Sequence, residues 1–146
     1  MIKSRGQRVR LFLDANILIS AARKEGSKIV QLWHFSTVEL VTSNYVLVEC
    51  RRNLPSEDQI ARFSELMLTV RVVDFPKPPV LHDPPPLPEK DQPVWAGAVL
   101  ARVDFLVTGD KKHFGAWYGS RLSGIGIEPP SVILELLQAG HLHPRN

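Results

Sequence analysis

Asp104-Phe105-Leu106-Val107-Thr108-Gly109-Asp110 is the stretch that decides the fold: a short apolar run, then a polar turn that ends in an acid. Such a run reads as a short strand. The same arrangement occurs near the start of the chain, where Val9-Arg10-Leu11-Phe12-Leu13 runs into Asp14. In an open parallel sheet the ligand crevice lies beyond the carboxyl ends of the strands, where strand order reverses. Two strands ending in aspartate put Asp14 and Asp110 at the mouth of that crevice, provided the strands are neighbours. Each also suits the N-cap of the helix that follows, because its carboxylate can accept an unpaired backbone N–H.

Outward from these two strands, the chain alternates strand and helix. Helical spacing runs through Ile17, Leu18 and Ala21, then Ile29, Leu32 and Trp33. Glu39 to Val41 is a second strand, and Ser43-Asn44 caps a helix that runs to about Arg52. Ser56-Glu57-Asp58-Gln59 reads as a capping box, with Ile60, Phe63, Leu66 and Met67 on one helix face. Val70 to Val73 is the third strand. The stretch from about 76 to 90 holds Pro76, Pro78, Pro79, Pro84, Pro85, Pro86 and Pro88, so it is an extended, polyproline-like connection. Asp91 opens the next helix, with Pro93 tolerated in its first turn and Trp95, Val99 and Leu100 further along. Phe105 to Val107 is the fourth strand and Ile125 to Ile127 the fifth, before a last helix from Ser131 to about Gln138. This order defines an α/β protein, a three-layer α/β/α sandwich around a parallel sheet of four to five strands.

The chain has 146 residues, 44% hydrophobic and 23% charged, which excludes wholesale disorder. A net charge of +3 is compatible with a polyanionic partner without specifying one. The only cysteine, Cys50, rules out an intrachain disulfide and a thiolate zinc site, and its apolar surroundings make it a core residue. No apolar run reaches the roughly 18 residues of a membrane span. Lys3, Arg5, Arg8 and Arg10 lead into Asp14 with no apolar leader core between them. The expectation is a cytoplasmic protein that does not engage a membrane.

Two further acids are candidates. Glu49 is flanked by Tyr45, Val46, Leu47, Val48 and Cys50, which reads as a buried carboxylate. Burial without compensation is costly, so it needs either a cation or one of the adjacent Arg51 and Arg52. Asp91 is explained as well by capping as by ligation, and Glu89 competes with it. Asp104 lies at the far end of its strand and reads as a loop residue.

Leu13-Asp14-Ala15-Asn16, Val48-Glu49-Cys50, Asp91-Gln92-Pro93-Val94-Trp95-Ala96 and Asp104 to Lys111 together resemble the PIN-domain family of nucleases. Their order and spacing are similar to the VapC-like bacterial and archaeal members that serve as toxins of toxin–antitoxin pairs. Ile125-Gly126-Ile127-Glu128-Pro129 resembles the family's closing strand. The resemblance implies a single PIN domain over residues 1–146 with strand order 3-2-1-4-5. It implies that Asp14, Glu49, Asp91 and Asp110 are the catalytic, metal-binding acids, supported by Asn16 and Thr108. It further implies a metal-dependent endoribonuclease using Mg²⁺ or Mn²⁺, with RNA as substrate, a cognate antitoxin protein as partner, and a homodimeric state. The proline-dense stretch before Asp91 departs from the family pattern.

The chemistry fits those residue types. Phosphodiester hydrolysis builds negative charge on an already anionic group, which a divalent ion offsets while it activates water. Hard oxygen ligands suit Mg²⁺ or Mn²⁺. Two carboxylates ~4 Å apart repel by about 4 kcal/mol at an effective dielectric of ~20, so a cluster of them calls for a cation. Arg51, Arg52, Lys111, Lys112 and His113 are positioned to contact phosphates, or are simply solvated charge. Trp95, Trp117 and Tyr118 offer base stacking, although Trp95 equally suits the core. His141 and His143 form a polar tail. Two other functions stand beside the nuclease: a PIN-fold module that binds RNA or protein without cutting, and an aspartyl-phosphate enzyme. Asn16 argues against the latter, which wants a second aspartate at that position.

Overall fold

The computed structural model describes residues 7–144; Lys3 and Arg5 of the basic N-terminal stretch lie outside the described residues. Val9–Leu13 (β1) is the central strand of a mixed sheet. On one side it pairs in parallel with Val38–Ser43 (β2), which pairs in parallel with Val70–Val73 (β3). On the other side it pairs in parallel with Phe105–Val107 (β4), which pairs in parallel with Ile125–Glu128 (β6). A two-residue strand, Arg121–Leu122 (β5), adds to β6 antiparallel, so the order is β3-β2-β1-β4-β6-β5. The expected order 3-2-1-4-5 holds with the predicted fifth strand as β6. The hairpin strand β5 is the addition, too short to leave a periodic signal.

Consecutive residues of a strand point to opposite faces. Leu11, Phe12 and Leu13 are all fully buried, as are Leu106 and Val107, so the centre of the sheet is covered on both sides. That is the sandwich that the alternation of strands and helices predicted. The covering helices are Ala15–Arg23 (α1), Asn44–Arg52 (α2), Glu57–Met67 (α3), Gln92–Leu100 (α4), Lys111–Phe114 (α5) and Pro130–Gln138 (α6). Trp95 is fully buried, as its core reading required, and Cys50 is buried too.

Caps fix the helix starts. Ser43 Oγ accepts from Val46 N at 3.4 Å and Ser56 Oγ from Gln59 N at 3.2 Å. The Gln59 side chain reaches instead to the Arg23 carbonyl at 3.5 Å, so the box is half made. Two expectations need correction. The apolar spacing beyond Ala21 does not continue the helix: Gly26, at φ +75°, turns the chain into a separate 3-10 segment, Lys28–His34. Ile60 is exposed rather than facing inward with Phe63. Residues 74–88 form neither helix nor strand, as their prolines require, and a 3-10 turn over Glu89–Asp91 then leads into α4.

Candidate active site

Strand order reverses between β1, which hands the chain to β2, and β4, on its other side. At the carboxyl ends of these two strands Asp14 N donates to the Val107 carbonyl at 3.1 Å, locking the ends together. Asp14 is therefore held beside Thr108. Its Oδ1 accepts from Ala15 N at 2.8 Å, the helix cap that its position allowed. Its Oδ2 accepts from Thr108 Oγ1 at 2.8 Å and from Asn16 Nδ2 at 3.3 Å. Asn16 also accepts from Gly109 N at 2.7 Å, and Thr108 Oγ1 accepts from Asp110 N at 3.1 Å. Asn16 and Thr108 thus tie the end of β1 to the turn that carries Asp110. Tyr118 adds a brace by donating from its hydroxyl to the Thr108 carbonyl at 2.8 Å.

Asp14, Glu49, Asp91 and Asp110 line one cavity of about 400 Å³, together with Asn16, Tyr45, Lys90 and apolar neighbours. The acids arrive from separate elements: the end of β1, the middle of α2, the turn before α4, and the turn after β4. Burial pushes the Asp14 carboxyl up to about 6; the Thr108 hydrogen bond opposes this, and the charges of Glu49 and Asp91 add to it. Asp91 is raised as well, chiefly by burial, with His113 pulling it down and Asp110 pushing it up. Asp91 Oδ2 is buried and accepts no hydrogen bond. A buried carboxylate oxygen without a donor, beside other carboxylates, is the condition a divalent cation relieves. The donor set fits such an ion.

Several expectations shift. Asp91 does not cap α4 with its side chain, so capping no longer explains it. Its neighbour Glu89 is exposed and lies outside the cavity lining. Glu49 reaches the cavity, but the premise of its burial was wrong: it is exposed. The buried stripe of α2 is Val46, Leu47 and Cys50, and Val48 beside Glu49 is exposed too, so apolar sequence neighbours did not place it inside. No ion pair links Glu49 to Arg51 or Arg52 among the described residues. Both arginines are exposed, and Arg51 borders a different groove with Leu47, Ile60 and Met67. Lys111 and Lys112 are exposed and outside the cavity lining; the cation that lines the cavity is Lys90. Its adjacency to Asp91 was the available signal.

His113 turns inward, with Nδ1 at 2.8 Å from Asp110 Oδ2 and 2.9 Å from Asp91 Oδ2. Asp104 is buried at the opposite end of β4, where its Oδ2 accepts from Arg10 N at 2.8 Å. His141 and His143 are exposed and border a separate groove with Arg121 and Glu128. Cys50, pushed up to about 12 by burial and then by Glu49, is no nucleophile.

A switch-point cavity lined by carboxylates from four elements defines the class: an α/β protein with a candidate cation site at the mouth of a parallel sheet. A PIN-domain sequence profile matches residues 10–112, and the chain belongs to the PIN-domain family. Proteins of this family are typically nucleases and generally use divalent metals. Among solved structures, the chain is similar to a chain of the crystal structure of VapBC2 from Rickettsia felis bound to a DNA fragment from their promoter. The match has a TM-score of 0.59 at 14% identity and covers 83% of this chain and 98% of that one. At that identity the likeness is one of fold. No curated protein matches the sequence.

Proposed function

We propose that this chain is a metal-dependent endoribonuclease that hydrolyses phosphodiester bonds of RNA, using Mg²⁺ or Mn²⁺. The observation that carries the reading is the convergence of Asp14, Glu49, Asp91 and Asp110 on one cavity at the switch point of a PIN fold. In this reading Asp14, Asp91 and Asp110 hold the ion, and Glu49, at the exposed side, orients water or shares a second ion. A bound divalent ion supplies charge compensation for the phosphate and acidifies water. The chain's own contributions are positional. Thr108 and Asn16 fix the Asp14 carboxylate, and His113 N fixes Asp110 by donating to its Oδ1 at 3.2 Å. Lys90 offers the scissile phosphate a positive charge at the cavity wall.

The whole chain acts in this reading as a single PIN domain in the cytoplasm, as a homodimer and as the toxin of a toxin–antitoxin pair. The fold shared with VapBC2 supports the antitoxin partner. The decisive test is cleavage of total RNA by purified protein with Mn²⁺, beside Asp14→Asn and Asp110→Ala. The wild type cuts and both variants lose at least about a hundredfold in rate, the scale of losing a transition-state contact. Equal cleavage by Asp14→Asn sinks the nuclease reading; tight RNA binding without cleavage by any form replaces it with a binding module. Growth arrest on expression, relieved by the product of an adjacent short gene, tests the toxin assignment.

A further inference from the structure

The imidazole of His113, as distinct from its backbone N–H, stands between two of the cavity's acids. His113 follows Asp110 by three residues, which brings both side chains to one face of α5. Asp91 arrives from the opposite direction, on the 3-10 turn before α4. One donor atom from each of Asp91, Asp110 and His113 lies within 4.8 Å of the other two. Two of these atoms, Asp91 Oδ2 and His113 Nδ1, are buried and take part in no hydrogen bond. Asp91 itself is only 8% exposed.

The distances alone suggest ion pairs, at 2.9 Å to Asp91 and 2.8 Å to Asp110. Yet Nδ1 makes a hydrogen bond to neither oxygen. A ring proton could in any case serve only one oxygen well. A cation beside the three atoms would take the lone pair of the neutral imidazole and a lone pair from each carboxylate.

We propose that His113 is itself a metal ligand, forming with Asp91 and Asp110 a carboxylate–carboxylate–imidazole site within the acidic centre. The inference rests on the metal-dependent reading above and deepens it. A nitrogen donor favours first-row divalent ions over Mg²⁺, which prefers oxygen and retained waters. The site therefore selects Mn²⁺, or a later first-row ion, over Mg²⁺.

The test is Mn²⁺ bound at substoichiometric loading to the full chain and read by pulsed electron paramagnetic resonance. Hyperfine coupling to an imidazole ¹⁴N is expected in the wild type and in a variant lacking His141 and His143, and is absent in His113→Asn. By titration, His113→Asn weakens Mn²⁺ binding at least about tenfold, the lower bound for disturbing a metal site's supporting shell, and weakens Mg²⁺ binding less. Mn²⁺ binding by the wild type without ¹⁴N coupling overturns the histidine ligand and leaves the acidic site standing. No Mn²⁺ binding by the wild type overturns both. Should His113→Asn fail to fold, the wild-type coupling and its persistence without His141 and His143 decide the matter.

Discussion

At Asp14 burial opposes ionisation, with the charges of Glu49 and Asp91 adding to it. Its carboxyl goes from the ordinary 3.8 to about 6 on burial, so between those pH values the folded chain keeps a proton that the unfolded chain has lost. The folded state binds more protons there, and stability falls as pH rises through that window. At roughly 1.4 kcal/mol per pH unit the loss is about 3 kcal/mol. In chelator, urea unfolding at pH 4 and pH 7 should show the wild type losing about that much relative to Asp14→Asn, whose side chain does not titrate. Equal pH dependence of the two proteins would remove the buried-charge argument. Thr108→Val tests the support of the same carboxylate: it deletes the hydroxyl that donates to Asp14 and accepts from Asp110 N. The expected cost is about 1–3 kcal/mol in stability. The expected fall in cleavage is about tenfold to a hundredfold, checked by initial rates. Asp14 and Asp110 were legible in the sequence because strand ends dictate where they sit. Glu49 was reached through a burial that does not exist. His113 was read as a phosphate contact because its closest acid beyond Asp110 belongs to a distant segment, and spacing along one element cannot reveal such a contact.

The elements themselves were legible wherever burial left a pattern. β1, β3 and β4 have the bounds that their apolar runs predicted, and the Ser43 and Ser56 caps are in place. The failures are local. The Gly26 turn broke what looked like one helical period, and β5 is two residues long. The β4–β6 pairing depends on a feature that spacing could not show. A Cβ on Gly126 would come within 2.7 Å of the Phe105 ring, which packs on Gly126 and beneath the Arg121 guanidinium at 5.4 Å from its centroid. Gly126→Ala must push that ring out of place, and a thermal melt should show a loss of about 1–3 kcal/mol. Phe105→Leu made together with Gly126→Ala should recover part of it, since the clash is with the ring. Ser56→Ala, which removes only the α3 cap, should cost about 1 kcal/mol and leave cleavage unchanged.

For the whole molecule, the proposed cation site would link ion binding to folding. Any ion held by the folded chain and not by the unfolded one stabilises it by mass action, about 2.7 kcal/mol at a ~100-fold excess over Kd. Mn²⁺ should therefore raise the wild-type melting temperature in a concentration-dependent way and leave Asp14→Asn/Asp91→Asn nearly unmoved. A uniform shift in both proteins would place the ion elsewhere.

The pairing of β1 with β4 has one more consequence, which concerns the chain as it is made. The central strand emerges early, yet the partner that covers its other edge, and the acid that completes the cavity, come near residue 105 and beyond. Closing so long a loop is slow, and contacts that span it form late. A chain interrupted after α4 carries an open strand edge and an unfinished acid set, so it is prone to aggregate. On the proposed reading, cutting would have to wait until β4 and the turn that carries Asp110 have been made and have docked on β1.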